Sequence, residues 1–302
     1  MTLLSQGSVD LAALVARIRR AFPQLGFSRA VLNDEGADHV VVMLDEAWVF
    51  RFPRNAERRA LFACELKLLA RIAPASPVPV PHYAHVAPKA AFGGYAMIHG
   101  APLTGEAFRG LARPAQERVL DEIASLLRLI HATPPAVIAG AGGQIAQGWT
   151  AARYAKRYRE RRRARIAGAV SAALLTRIDA FFEAYARRPA GPARVVVHGD
   201  LTADHMLLAP GGEGLAGVID FADAELDDPA HDFTYLWAFG DWAPAFAARR
   251  YGLADGGLVE RSRWSWARYR IDQLRWAADG HIGRRDAPSE AEMMALFGVL
   301  GV

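Results

Sequence analysis

A chain of 302 residues, 52% of them hydrophobic, carries enough apolar surface for two packed cores, yet its apolar runs are too short and too often broken by Arg, Asp, Pro or Gly to cross a bilayer. The single cysteine, Cys64, excludes an internal disulfide and a cysteine zinc cluster, and the opening MTLLSQGSVDLAAL lacks the pattern of a signal peptide, so a reducing, cytoplasmic location is expected. The net charge of +4 is mostly arginine, much of it in RYAKRYRERRRARIAG (153–168); without a nucleic-acid-binding motif beside it this block reads as a solvated helix face, and neither nucleic acid nor membrane is an expected partner.

Residues 8–22 place Leu11, Leu14, Val15, Ile18 and Phe22 at helical spacing, with Ser8 as a cap and Pro23 as a stop. HVVVML and AWVFRF follow, β-rich runs joined by Asp45-Glu46 into a hairpin. NAERRALFACELKLLARIA sets Leu61, Leu68, Leu69 and Ile72 on one helix face, which Glu57 and Glu65 share. PASPVPVPHY is an extended connection, and GGYAMIHG a strand ending in glycine. Beyond residue 100 helices dominate, at 113–131, near 150–168 and at 172–187, then at 231–252, 257–279 and 288–298. Short strands at 194–197, 205–208 and 215–219 interrupt them. The expected class is α+β, with a small β-rich lobe (1–99) preceding a larger helical one (100–302).

The chemistry concentrates in VVVHGDLTADHMLLAP (195–210). A buried strand ends in His198-Gly199-Asp200, His205 lies five residues after Asp200, and Asp220 closes LAGVID. If the two later strands pair, His205 and Asp220 meet across them beside Asp200, a metal site next to a base. Phosphoryl transfer would use Asp200 to take the proton of an attacking hydroxyl and the other two to hold magnesium. Metal hydrolysis would use His198, Asp200 and His205 as transition-metal ligands. An Asp-rich turn beside a core histidine is the plain alternative.

HGDLTADHMLL followed by GVIDFADAELDDPAHDF resembles the catalytic loop and metal motif of the aminoglycoside phosphotransferases, small-molecule kinases with a protein-kinase-like two-lobe fold; the likeness runs more loosely from the hairpin at 39–52 to about residue 240. The resemblance implies Asp200 as catalytic base, Asp220 as main magnesium ligand and His205 as the second ligand. Histidine there, where many members carry asparagine, is similar to the aminoglycoside 2''-phosphotransferase and macrolide phosphotransferase branch. Asp232, in DPxxD, and His198 are implied to support the loop. On the nucleotide side the resemblance implies Arg51 in WVFRFPR where most members carry lysine, with Glu65 as its partner and Glu57 as the rival. NDEGADHV stands in place of the phosphate-covering loop without a G-x-G-x-x-G. YAMIHG becomes the hinge, Met97 flanking the purine and Ile98 and Gly100 offering backbone groups. The implied cofactors are ATP or GTP with Mg2+.

The acceptor is implied to lie between the catalytic loop and the helices, where a polycation needs carboxylates: Asp204, Glu225, Asp227 and Asp272 are the candidates. Trp264, Trp266, Tyr269 and Trp276, in RSRWSWARYRIDQLRWAADGHIGRR, either floor a pocket or belong to a core. An aminoglycoside-type acceptor is expected, with a macrolide, a sugar amine or a small amino alcohol as alternatives. A nucleotide-binding pseudokinase and a metallohydrolase are the rival classes, and the oligomeric state is left open.

Overall fold

The N-terminal third is built around strands whose successive residues face opposite sides: Val42 and Phe50 join an apolar core, and Arg51 turns to the other face. A computed structural model describes residues 9–36, 38–140, 143–188, 191, 194–252 and 256–302. Helix α1 (Leu11–Ala21) is capped by the Asp10 carboxylate, which accepts the Ala12 N–H at 2.9 Å; the expected cap, Ser8, lies outside the described residues. Strands β1 (Ala30–Asn33), β2 (His39–Leu44) and β3 (Trp48–Pro53), helix α2 (Ala56–Ile72), and strands β4 (His85–Val86) and β5 (Gly93–Ala96) follow. The five strands form one antiparallel sheet in the order β1-β2-β3-β5-β4. Leu44 pairs with Trp48, so the hairpin turns through Asp45, Glu46 and Ala47 rather than through two residues. Asp45 and Glu46 both adopt left-handed φ, 48° and 54°, and the Asp45 carboxylate accepts the Ser28 and Arg29 N–H groups.

The helical part comprises β6 (Ala101–Pro102), α3 (Gly105–Gly110), α4 (Arg113–His131), α5 (Ala151–Arg157), α6 (Arg163–Ala167), α7 (Ala172–Arg187), β7 (Val195–Val197), β8 (Met206–Leu208), β9 (Leu215–Val218), β10 (Glu225–Asp227), α8 (Ala243–Tyr251), α9 (Leu258–Ala278) and α10 (Glu290–Leu300). β8 and β9 form the expected hairpin, extended by β6, while β7 pairs with the unforeseen β10. The segment read as helical over 231–252 is in fact two 3-10 turns, Pro229–Phe233 and Tyr235–Phe239, before α8; Gly240 at φ 117° breaks the helical path. Among the described residues no helix is long and apolar enough to cross a membrane.

Three cores result. One joins α1 to the sheet through Ile18, Val42 and Phe50. A second runs from Leu68 and Leu69 of α2 through Leu127 of α4 to Val196 of β7, Val218 of β9 and Phe221. A third packs α5, α7, α9 and α10, with Phe181, Trp264 and Phe297 inside it. Each fully buried Leu or Phe contributes about 1.5–3 kcal/mol. The arginine block is not a plain solvated face: Arg162 pairs with Asp272, Arg163 with Asp179 and Arg165 with Asp279, and Arg153 and Arg157 lie over the Trp149 ring. A π-helical turn, Tyr158–Arg162, between α5 and α6 sets these side chains toward the neighbouring helices.

Candidate active site

The loop after β7 is held by one buried carboxylate. Asp232 accepts the His198 N–H at 2.8 Å, the Gly199 N–H at 3.0 Å and the His131 Nε2 proton at 2.9 Å. Burial would raise its pKa, but His131 and the neighbouring histidines pull it down to about 2. The His198 ring is buried and its pKa is lowered by that burial, so it is neutral. Its Nδ1 accepts the Asp200 N–H at 3.3 Å, which leaves Nε2 as the donor to the Ile219 carbonyl at 3.2 Å. With both nitrogens committed to backbone, His198 has none left for a metal, and the three-ligand hydrolase arrangement loses a member. Gly199 turns at φ 86°, and a Cβ there would stand 2.2 Å from the Asp223 carbonyl oxygen, so glycine alone fits. Asp200 emerges from this braced turn with 43% of its side chain exposed to the cleft.

His205 sits in the 3-10 turn Ala203–His205 that leads into β8. Its Nδ1 donates to the Asp200 carbonyl at 2.7 Å, which turns Nε2 toward Asp220 Oδ2, 3.8 Å away. Asp220 follows β9 in the left-handed region at φ 62°, a conformation costly for most residues and typical of functional sites. Burial alone would raise its pKa, yet Arg51 and His205 hold it near 2, so it is ionised. Asp220 Oδ2 and His205 Nε2 face each other, so these two side chains could hold a divalent cation, the carboxylate as the oxygen ligand such ions prefer. A second group close enough to hold a metal, Glu225, Asp227 and His231, differs in character. The pKa of His231 is raised, burial being outweighed by its hydrogen bond to Asp227 at 3.1 Å, so these two groups are paired with each other.

Arg51 is buried between the sheet and α2. Its Nη1 donates to Glu65 Oε1 at 2.6 Å and its Nη2 to Asp220 Oδ1 at 2.6 Å, with His39 Nδ1 at 3.1 Å. Burial pushes the Glu65 carboxyl up to about 7 against the pull of Arg51, and drives His39 down to about 3. Glu57, the rival, is exposed at the first turn of α2. The segment before β2 is tied down without a glycine loop: Arg54 donates to the Gly36 carbonyl at 2.8 Å and to the Asp34 carboxylate at 2.6 Å. At the hinge the Met97 N–H is taken by the Ala47 carbonyl at 2.8 Å, Ile98 is half-buried, and a Cβ on Gly100 would meet the Leu208 carbonyl oxygen at 2.8 Å.

On the other side of Asp200 lies a cavity of about 290 Å3, with Asp223, Glu225, Trp149, Tyr269 and Trp276 in its walls. Of the four expected acceptor carboxylates only Glu225 stands free here. Asp272 reaches the same wall but pairs with Arg162, Arg268 and Arg275. Asp227 is buried, bound to the Asp228 N–H and His231. Asp204 is exposed in a separate cavity of about 940 Å3 that shares the Tyr235 wall. Burial, with Asp227 and Asp223 nearby, outweighs His231 and pushes Glu225 up to about 7. Asp223, Trp149 and Tyr154 were not legible beforehand: they have no motif spacing, and only the packing of β10 against β7 and of α5 against α9 brings them to the cavity. Trp264 belongs to the third core.

The chain matches the phosphotransferase enzyme family over residues 29–271, and no curated protein sequence matches it. Among solved structures it is similar to the GDP and kanamycin complex of APH(2'')-IIIa, at 20% identity and a TM-score of 0.75, covering 95% of this chain and 97% of that one. The streptomycin–ATP ternary complex of APH(2'')-IIa is similar at 17% identity and a TM-score of 0.64, covering 92% and 95%. The macrolide 2'-phosphotransferase MphH of Brachybacterium faecium, as apoenzyme, is similar at 22% identity and a TM-score of 0.62, covering 95% and 98%. These likenesses share the arrangement of a small antiparallel sheet beside a larger helical part, and the family match spans the segment from β1 to α9; the chain belongs to the phosphotransferase enzyme family.

Proposed function

We propose that this phosphotransferase moves the γ-phosphoryl group of ATP or GTP to a hydroxyl of an amine-bearing small molecule of the aminoglycoside type, acting in the cytoplasm, where those nucleotides are found. One observation carries the reading: Asp200, braced through Asp232, stands between the Asp220–His205 pair and a cavity walled by Glu225 and Asp223. Asp200 accepts the proton of the acceptor hydroxyl as its oxygen bonds to the γ-phosphorus; the bond from that phosphorus to the bridging oxygen breaks, and the nucleoside diphosphate leaves. Asp220 and His205 would hold Mg2+, whose chemistry is to neutralise charge on the phosphates. Arg51, kept in place by Glu65, supplies a fixed positive charge on the nucleotide side, and Met97, Ile98 and Gly100 frame the purine. The GDP, ATP, kanamycin and streptomycin named for the similar structures support this reading.

A second acceptor, a macrolide or other molecule with one amine, is favoured by a specific feature. Asp272 and Asp227 are committed to internal pairs, and aromatic rings make up much of the remaining wall. Mass spectrometry with Mg2+, ATP or GTP, and a panel of aminoglycosides, macrolides and amino alcohols distinguishes the two by which acceptor gains a phosphate. Asp200→Ala is expected to abolish transfer while nucleotide affinity stays within about twofold; full activity in this variant overturns the role of Asp200. Nucleotide binding without transfer to any acceptor favours the pseudokinase.

A further inference from the structure

The segment in place of the phosphate-covering loop has no glycine cradle, and Arg51 is already engaged by Glu65 and Asp220. A triphosphate is a polyanion, and a cationic side chain beside its terminal end offsets part of that charge. Arg54 does not provide it, being tied to Gly36 and Asp34. Arg58 is placed differently. Its backbone is fixed in the first turn of α2 by the Asn55 side chain, which accepts the Arg58 N–H at 2.9 Å. Its guanidinium lies between two acids: Nε stands 3.0 Å from Asp38, and Nη1 stands 4.0 Å from Asp223, on the loop that touches Gly199. Around it Asp38, Asp200, Asp220 and Asp223 repel one another. The side chain is 31% exposed, against 5% for Arg51. A 4.0 Å contact is the outer limit of an ion pair and is readily exchanged for a phosphate oxygen, which a guanidinium can grip through two donors.

We infer that Arg58 binds the terminal phosphate of the nucleotide, exchanging its long contact to Asp223 for phosphate oxygens and so tying α2 to the catalytic loop in the loaded enzyme. This assignment rests on the phosphotransfer reading above. A residue that only held Asp38 in place would affect all nucleotides alike; a ligand of the terminal phosphate discriminates by phosphate number.

The test is calorimetric titration of the full chain with Mg2+ and either the nucleoside diphosphate or its β,γ-imido triphosphate analogue, for wild type, Arg58→Gln and Arg58→Lys. Arg58→Gln is expected to weaken the triphosphate analogue about tenfold and the diphosphate less than about twofold, and to lower kcat about 10²-fold. Arg58→Lys recovers part of both losses by keeping the charge without the fork. Equal weakening of both nucleotides, or an unchanged ratio of the two affinities, overturns the assignment. If Arg58→Gln fails to fold, the same ratio measured in Arg58→Lys decides. Failure of the wild type to bind either nucleotide overturns the phosphotransfer reading itself, and this assignment with it.

Discussion

Glu225 shows how a single carboxyl acquires a function from its surroundings. On the sequence it is one acid among several in FADAELDD; in the structure it is half-buried on the wall of the cavity beside Asp200, with its pKa pushed up to about 7. An ordinary glutamate releases its proton near 4.3, so between that pH and about 7 the folded chain holds a proton that the unfolded chain has lost. Rising pH across this window therefore disfavours folding, while it favours binding of a cationic acceptor, because the carboxylate becomes charged. The KM of an amine-bearing acceptor is expected to fall as pH rises through about 7, and Glu225→Gln is expected to flatten that dependence. A pH series of KM for both proteins checks it. The sequence puts Asp200, His205 and Asp220 in two short ordered segments, and the β8–β9 hairpin brings His205 and Asp220 within 3.8 Å of each other. Asp223 was not legible, since nothing in the sequence separates an acid lining a cleft from an acid on a loop.

At the level of elements, α2 carries both a packing face and a charge. Its apolar period places Leu68, Leu69 and Ile72 inside, and Glu65 falls among them. Phe62, rather than Leu61, completes the buried face, because the face is set by what the helix packs against and not by its own period. The Glu65 side chain has no exposure and its partner Arg51 has 5%. Removing Glu65 leaves Arg51 buried with Asp220 as its remaining carboxylate partner, its Nη1 stripped of its short bond. Glu65→Ala is expected to destabilise the chain by about 3–5 kcal/mol, read from urea unfolding, and to weaken nucleotide binding through the displaced Arg51. The three-residue strand β10 escaped the sequence reading for a related reason: Glu-Leu-Asp has no periodicity, and it is a strand only because β7 presents an edge to it.

For the molecule as a whole, two junctions hold distant segments together. Arg51 joins β3 to Asp220 across 169 residues, and Asp232 joins α4, through His131, to the catalytic loop. With its pKa near 2, against about 3.9 in the unfolded chain, Asp232 contributes roughly 2–3 kcal/mol that is fully present above about pH 5 and is lost as pH falls through about 2. Asp232→Asn is expected to melt at lower temperature than wild type at pH 7 and to lose most activity, with the difference in melting shrinking between pH 4 and pH 2; melting curves over that range check it. The sequence by itself determined the α+β class and the family, since alternation, helical period and the ordered motifs HGDLTADHMLL and GVIDF are local properties of the chain. Only the tertiary structure decided which acids face the cavity beside Asp200, that Asp272 pairs with Arg162, and that Arg58 stands between Asp38 and Asp223. Charge pairing and burial depend on which surfaces meet in space, and chain order does not encode that.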